Sequence, residues 1–269
     1  MNKWLNFLMW LLILIVFWGI TLLLNPWLKD FRQQNPVFDE GMAALPALLA
    51  YFAMLLYHEV DAVYFAVNRW LLGFRGLIRA EFDIQYTLTM PADLQNILNL
   101  FNEHFPHNKR KNWIDNEDTL ILTLPNTVFR VSHESIYNSE MTGDFSIVLH
   151  LESTEVEMPF RTWERVITSL SAFFRGLQEQ INPINSKYTC NVIFAGHNPY
   201  FGLFLRKAHV PDVISFNVHF KERVAGIEET VQIGKSKVSI IAESIAGWEA
   251  LANKYIGLSK PPNLTVTTE

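Results

Sequence analysis

From Trp4 to Leu28 almost every position is apolar, and a second uncharged stretch runs from Gly41 to Tyr57. After about Arg79 the pattern changes to alternating runs and helical stripes, as in a water-soluble domain. A bilayer core of ~30 Å takes roughly 20 apolar residues in a helix. Phe7 to Leu24 is nearly all large and apolar, interrupted by Gly19 and Thr21, and Trp4, Trp10, Trp18 and Trp27 include residues at both ends. Tryptophan collects at membrane–water boundaries, so the segment reads as a membrane helix over residues 1–28. The competing reading is a cleaved signal peptide, but the run is longer than a signal core, and Asn25-Pro26-Trp27 is not a small-residue cleavage site.

A short loop, 29–40, leads to a second long helix expected over 41–79. Asp39 and Gly41 suit its start, and Pro46 lies near that start. Its helical pattern continues past the polar residues His58, Glu59 and Asp61 toward Phe74. The expectation is a helix that crosses the membrane and then projects from it. His58, Asp61, Phe65 and Asn68 recur at three- and four-residue steps, which places the polar ones on one stripe. His58, Glu59, Asp61, Asn68 and Arg69 are therefore candidates for a pore or an oligomer interface. Ionisable groups near a membrane helix face a bundle interior or mark the boundary with water, and the pattern fits both. A buried core helix is a further reading of the same segment. Lys3, Arg69, Arg75 and Arg79 against Lys29 and Arg32 place the large C-terminal domain in the cytoplasm.

Residues 80–258 read as α+β. Glu81–Met90 alternates, with Phe82, Ile84, Tyr86, Leu88 and Met90 on one face. Pro91 then opens a helix striped by Leu94, Ile97, Leu98 and Phe101. Strands near 119–124, 127–133 and 144–152 precede a long helix over 160–181. A second series follows: a strand at 187–195, a short helix at 199–208, strands near 213–221, 230–233 and 237–242, and a last helix using Ile245, Trp248, Leu251 and Tyr255. The unit strand–helix–three strands–helix thus occurs twice by element order. That predicts two α+β subdomains, 80–184 and 185–258, with mainly antiparallel sheets, and a loose tail at 259–269.

The net charge of −5 argues against a broad nucleic-acid-coating surface, though not against a local basic pocket. The single cysteine excludes a disulfide framework and a thiolate metal cage within one chain. No phosphate-binding glycine loop, dinucleotide fingerprint, zinc-protease motif or nucleophile elbow is present. The expectation is a protein that is not an enzyme and has no catalytic residues, cofactor or metal.

Two segments remain as ligand candidates. In the first, His197, Asn198, Tyr200 and Phe201 follow a buried strand and open a helix, with Arg206 and Lys207 one to two turns later. Asn198 suits an N-cap and Pro199 a first helical position, and exposed N–H groups at a helix start hold anions. Tyr200 and Phe201 offer rings to stack on a base. A well-capped turn with its aromatics in the core explains the same residues. The second candidate is Lys109, Arg110 and Lys111 beside Trp113, suited to single-stranded nucleic acid or anionic headgroups, or simply a solvated loop.

In layout (Trp4–Leu28, Gly41–Phe74, then a cytosolic α+β domain) the chain resembles the transmembrane effectors of bacterial anti-phage defence systems. The resemblance covers architecture alone and transfers no functional position. It implies an oligomeric effector in the bacterial inner membrane that forms a pore or disrupts the bilayer. Its partners would be lipid, copies of itself, a nucleotide or single-stranded oligonucleotide bound to the cytosolic domain, and a signalling enzyme of the same system. The alternative is a membrane-anchored scaffold or receptor that binds a protein partner without pore activity.

Overall fold

In a computed structural model, the described residues are 19, 36–107, 112–115, 119–124, 127–137, 145–196, 198–208 and 216–258. The first membrane helix expected over 1–28 lies outside them apart from Gly19, as does the tail. The chain divides into two compact units, up to Val60 and from Asp61 onward. The first contains helix α1, Pro36–Glu59. Among its described side chains Leu48, Tyr51, Met54 and Leu55 are exposed, whereas Leu56 is buried. Among the described residues no single helix is long and apolar enough to cross a membrane.

The helix expected to continue through Phe74 is interrupted at Val60, and α2 starts afresh at Asp61 and ends at Arg75. Charge favours the new start, although Glu59 is left in the last turn of α1, where the dipole opposes it. An acidic residue opposes the negative C-terminal end of a helix and favours the positive N-terminal end, so Asp61 is better placed in a new first turn than in a continuing one. The polar stripe from His58 to Asn68 is accordingly divided between two helices. The domain also begins earlier than expected, with strand β1 at Leu77–Leu88.

The second unit is α+β, built on one ten-stranded antiparallel sheet. After β1 come α3 (Leu94–His104), β2 (Trp113–Asp115), β3 (Thr119–Thr123), β4 (Val128–Tyr137), β5 (Phe145–Ser153) and β6 (Val156–Pro159). A 3-10 turn at Phe160–Thr162 leads into α4 (Trp163–Ile181). The second series is β7 (Asn185–Phe194), α5 (Pro199–Ala208), β8 (Asn217–Val224), β9 (Ile227–Gly234), β10 (Lys237–Ala242) and α6 (Ile245–Leu251), closed by a π-helical turn at Ala252–Ile256. The strand order is β2-β3-β4-β5-β1-β7-β10-β9-β8, and β6 pairs with the start of β1.

The two series share this sheet rather than forming separate subdomains. β1 pairs with β7 continuously from Ile78↔Phe194 to Thr87↔Asn185. On its other edge β1 meets β5 through Asp83–Leu88 and β6 through Leu77–Ala80. The expected β1 register on the buried face holds for Phe82, Ile84, Tyr86 and Leu88, all buried. Met90 is exposed, because the strand ends at Leu88 ahead of Pro91, which has no N–H to donate to a ladder. The helix then starts at Leu94 and not at Pro91, capped by Asp93, whose carboxylate accepts from Gln95 N at 2.9 Å.

The core lies between the inner sheet face and α4 and α6. Phe82 stacks on Trp163 with centroids 6.2 Å apart, and Trp248 meets both Phe82 and Phe174 edge-on. Trp163 Nε1 donates to Ala252 O at 3.2 Å, which satisfies its polar edge inside the core. Glu229, almost fully buried, accepts from Glu243 N at 2.7 Å and Ser244 Oγ at 2.8 Å at the start of α6. The outer face of the sheet is polar: Arg79, Glu81, Asp83 and Gln85 on β1, and Lys187, Thr189 and Asn191 on β7.

Asn198 joins α5 to this sheet. Its Oδ1 accepts from Phe201 N at 2.8 Å, its Nδ2 donates to Gly234 O, and its own N–H donates to Lys235 O at 3.1 Å. Removing the amide strands a buried and a half-buried partner, so Asn198→Ala is expected to lower unfolding stability by about 2 kcal/mol in urea titration. A loss below about 0.5 kcal/mol, the scale of an ordinary surface substitution, would contradict this role.

Candidate functional site

The residues expected to bind a ligand at the start of α5 belong largely to the core. Asn198 has no exposed surface, and Tyr200 and Phe201 are each 1% exposed. Tyr200 donates its hydroxyl to Lys254 O at 3.3 Å, and its ring meets Phe65 at 5.0 Å and Tyr255 at 5.8 Å. Burial first, and then the neighbouring Tyr255 and Glu222, push the Tyr200 phenol well above its ordinary pKa, so it stays a neutral donor. Phe201 packs against Phe216 at 5.1 Å, under Lys235 Nζ. Neither ring presents a free face for a base, which corrects the stacking expectation for these two residues. The cap reads the same in sequence whether its rings face a ligand or the core, so only the fold separates the cases. His197 and the side chains of Arg206 and Lys207 lie outside the described residues.

In the second candidate, Lys109, Arg110 and Lys111 are also outside the described residues. Trp113 stands on the edge strand β2, opposite Ile121, and is 46% exposed. Beside it, Asn112 donates to Asn102 Oδ1 at 3.0 Å and accepts from Thr123 N at 2.8 Å, which fixes the strand's entry.

A cluster without a sequence signal joins β8 to the C-terminal turn. Glu222 accepts from Lys254 Nζ and from the Tyr255 hydroxyl, both at 2.5 Å. Burial, followed by the hydrogen bond to Glu222, pushes the Tyr255 phenol far above its ordinary pKa. All three side chains are committed to one another, so the cluster acts as a brace between elements. Among the described residues, no group of three or more His, Cys, Asp or Glu is placed to hold a metal ion.

The surface least explained by packing is on α2. Its inner side is anchored: Tyr64 donates its hydroxyl to Pro199 O at 2.9 Å, and Phe65 is buried against Tyr200. Asn68, a pore candidate, donates to Tyr64 O at 2.8 Å, one turn back on its own helix. Arg69, another, pairs with Glu164 at 3.6 Å. His58 and Glu59 are exposed on α1, and Asp61 lies in the first turn of α2.

The outer side of α2 is apolar. Trp70, Leu71 and Phe74 are 68%, 52% and 71% exposed, and the Trp70 and Phe74 rings stack 6.1 Å apart. Ala62, Ala66, Trp70, Gly73 and Phe74 border an open groove of about 720 Å³. Positions 62, 66, 70 and 74 are successive turns of one helical face. The sequence carried half of this signal: the Ala-Val-Tyr-Phe-Ala-Val pattern predicted a helix, but not which face would be left uncovered.

No family model matches the chain, and no curated protein matches it. Among solved structures it is similar to Methanococcus jannaschii TBP at 11% identity, over 68% of this chain and 97% of that one, with a TM-score of 0.21. A likeness that loose supports no statement about what this chain binds.

The attachment of α2 to α5 depends on a glycine. A methyl group at Gly202 would run into the Tyr64 hydroxyl, which is held on Pro199 O. Gly202→Ala is therefore expected to cost about 1–3 kcal/mol through overpacking and to speed amide exchange along α2. Unchanged protection factors in α2 would contradict this attachment.

Proposed function

We propose that the protein is a membrane-bound effector. Its N-terminal apolar segments hold it in the bilayer, the outer face of α2 lies at the lipid surface, and the sheet domain receives the regulator. The observation that carries this reading is the contiguous exposed set Trp70, Leu71 and Phe74, one helix after an apolar α1 with exposed Tyr51 and Met54. Stacked aromatics on one side of an amphipathic helix suit the boundary between headgroups and acyl chains. The opposite side of α2 is committed to the domain, so lipid contact would orient the sheet rather than tether it loosely.

The open outer sheet face has charges of both signs, with Arg79 paired to Glu155 and Glu157, and Asn191 donating to Glu81. Phosphate-tracking surfaces are dominated by positive charge, so this face suits a protein regulator better than a nucleic acid. A nucleotide-controlled version keeps one specific support, the exposed Trp113 following Lys109–Lys111 in sequence. If it holds, Trp113→Ala lowers oligonucleotide affinity by about tenfold, the scale of one lost stacking contact.

The full chain, reconstituted in vesicles, is expected to release an entrapped dye. Trp70→Glu with Phe74→Glu should reduce that release at least fivefold while the protein stays in the membrane fraction. Equal release by the double variant would contradict the role of α2. Membrane-bound wild-type protein that releases nothing would replace the effector by the scaffold alternative.

A further inference from the structure

A second cavity, unrelated to the α2 groove, lies in the domain itself. It arises from a mismatch in helix length. At 1.5 Å per residue α3 is roughly 16 Å long and α4 roughly 28 Å. The C-terminal end of α3 is docked midway along α4: Phe101 and Phe105 meet Phe173, and the His104 ring lies against Gly176. On the side that α3 covers, the first two turns of α4 therefore run on beyond it. The gap between those turns, Phe105, Leu124, Thr127 and β6 is a pocket of about 290 Å³.

Its walls are Phe82, Phe105, Leu124, Val156, Met158, Val166 and Leu170, with Thr127, Thr162, Arg165 and Ser169 as the polar members. The three hydroxyls are turned to the backbone. Thr127 donates to Thr154 O at 3.5 Å, Thr162 to Pro159 O at 2.7 Å and Ser169 to Arg165 O at 2.9 Å. Arg165 differs. Among the described residues its guanidinium has no carboxylate partner, although neighbouring Glu164 is taken by Arg69 and Glu157 by Arg79. The lining thus offers one uncommitted polar group, a planar fork of donors at the rim of an apolar slot.

We propose that this pocket binds a compact apolar monocarboxylate, with its hydrocarbon part against Phe82, Met158 and Leu170 and its carboxylate on Arg165. An apolar cavity of about 150 Å³ takes a benzene molecule, so a pocket of this size holds a medium-length acyl chain or a small fused ring. Arginine binds carboxylates through two parallel hydrogen bonds, a geometry that lysine lacks. One charge at the mouth and no polar group free inside select a single-headed amphiphile over a sugar or a nucleotide, whose hydroxyls would go unpaired. The site is separate from α2, so its failure leaves the membrane reading untouched.

The test is calorimetric titration of octanoate into the full chain in lipid nanodiscs, with empty nanodiscs as the reference and octanol as the uncharged probe. Saturable octanoate binding in excess of empty discs is expected. Arg165→Gln, at an exposed position, should weaken octanoate at least tenfold and leave octanol within twofold. Val166→Trp, which fills the slot from a half-exposed position, should abolish both. Octanoate heats no larger than those of empty discs would overturn the proposal, and so would equal octanoate affinity in wild type and Arg165→Gln. Retained binding in Val166→Trp would place the ligand elsewhere and overturn it too.

Discussion

The pairing of β1 with β7 is the constraint on which the domain depends. These strands come from the two halves of the chain, and their register from Ile78↔Phe194 to Thr87↔Asn185 turns two four- to six-stranded pieces into one sheet. It also sets Phe82 against Cys190 and Ile84 against Tyr188, so the inner faces of both halves share one row of core side chains. Trp163 and Trp248 then pack from α4 and α6 onto Phe82, each helix contributed by a different half. Neither half buries its apolar face alone, and a single compact unit from Asp61 onward follows.

Everything outside that core is placed by it. The brace between Glu222, Lys254 and Tyr255 closes the C-terminal turn over β8, and Tyr200 sits between that turn and Phe65. Through Phe65 and Tyr64, α2 is fixed to the domain, so its outer face is a rigid feature of the fold and not a loose linker. A helix with both faces apolar, one packed and one open, is unstable as an accident of sequence because exposed aromatics favour aggregation. In the proposed reading, an oriented contact with lipid would give those rings a reason to be where they are.

The sequence pattern made much of this legible. Period-two and period-3.6 patterns located β1, α4, α5 and β10 to within a few residues, because each buries one face. Three features were not legible, for separate physical reasons. The break at Val60 is marked by Asp61 in the first turn of a new helix, a local electrostatic feature that hydrophobic period does not report. The short strands β2 and β6 are defined by their partners β3 and β1 and have little pattern of their own. The pairing of the two halves is a long-range choice of register, invisible to any window. The Asn198-Pro199-Tyr200-Phe201 turn was located correctly, but its rings face Phe65 and Phe216 rather than solvent, and no local pattern distinguishes the two.

The depth of α2 in the bilayer tests the central claim most directly. Cys190 is fully buried, and its burial raises the thiol pKa, so a nitroxide placed at Leu71→Cys labels one site selectively. Power-saturation resonance on the labelled full chain in vesicles should show the nitroxide relaxed by oxygen, which concentrates in lipid, and shielded from a water-soluble nickel complex. A label equally open to the nickel complex with and without vesicles would contradict the account.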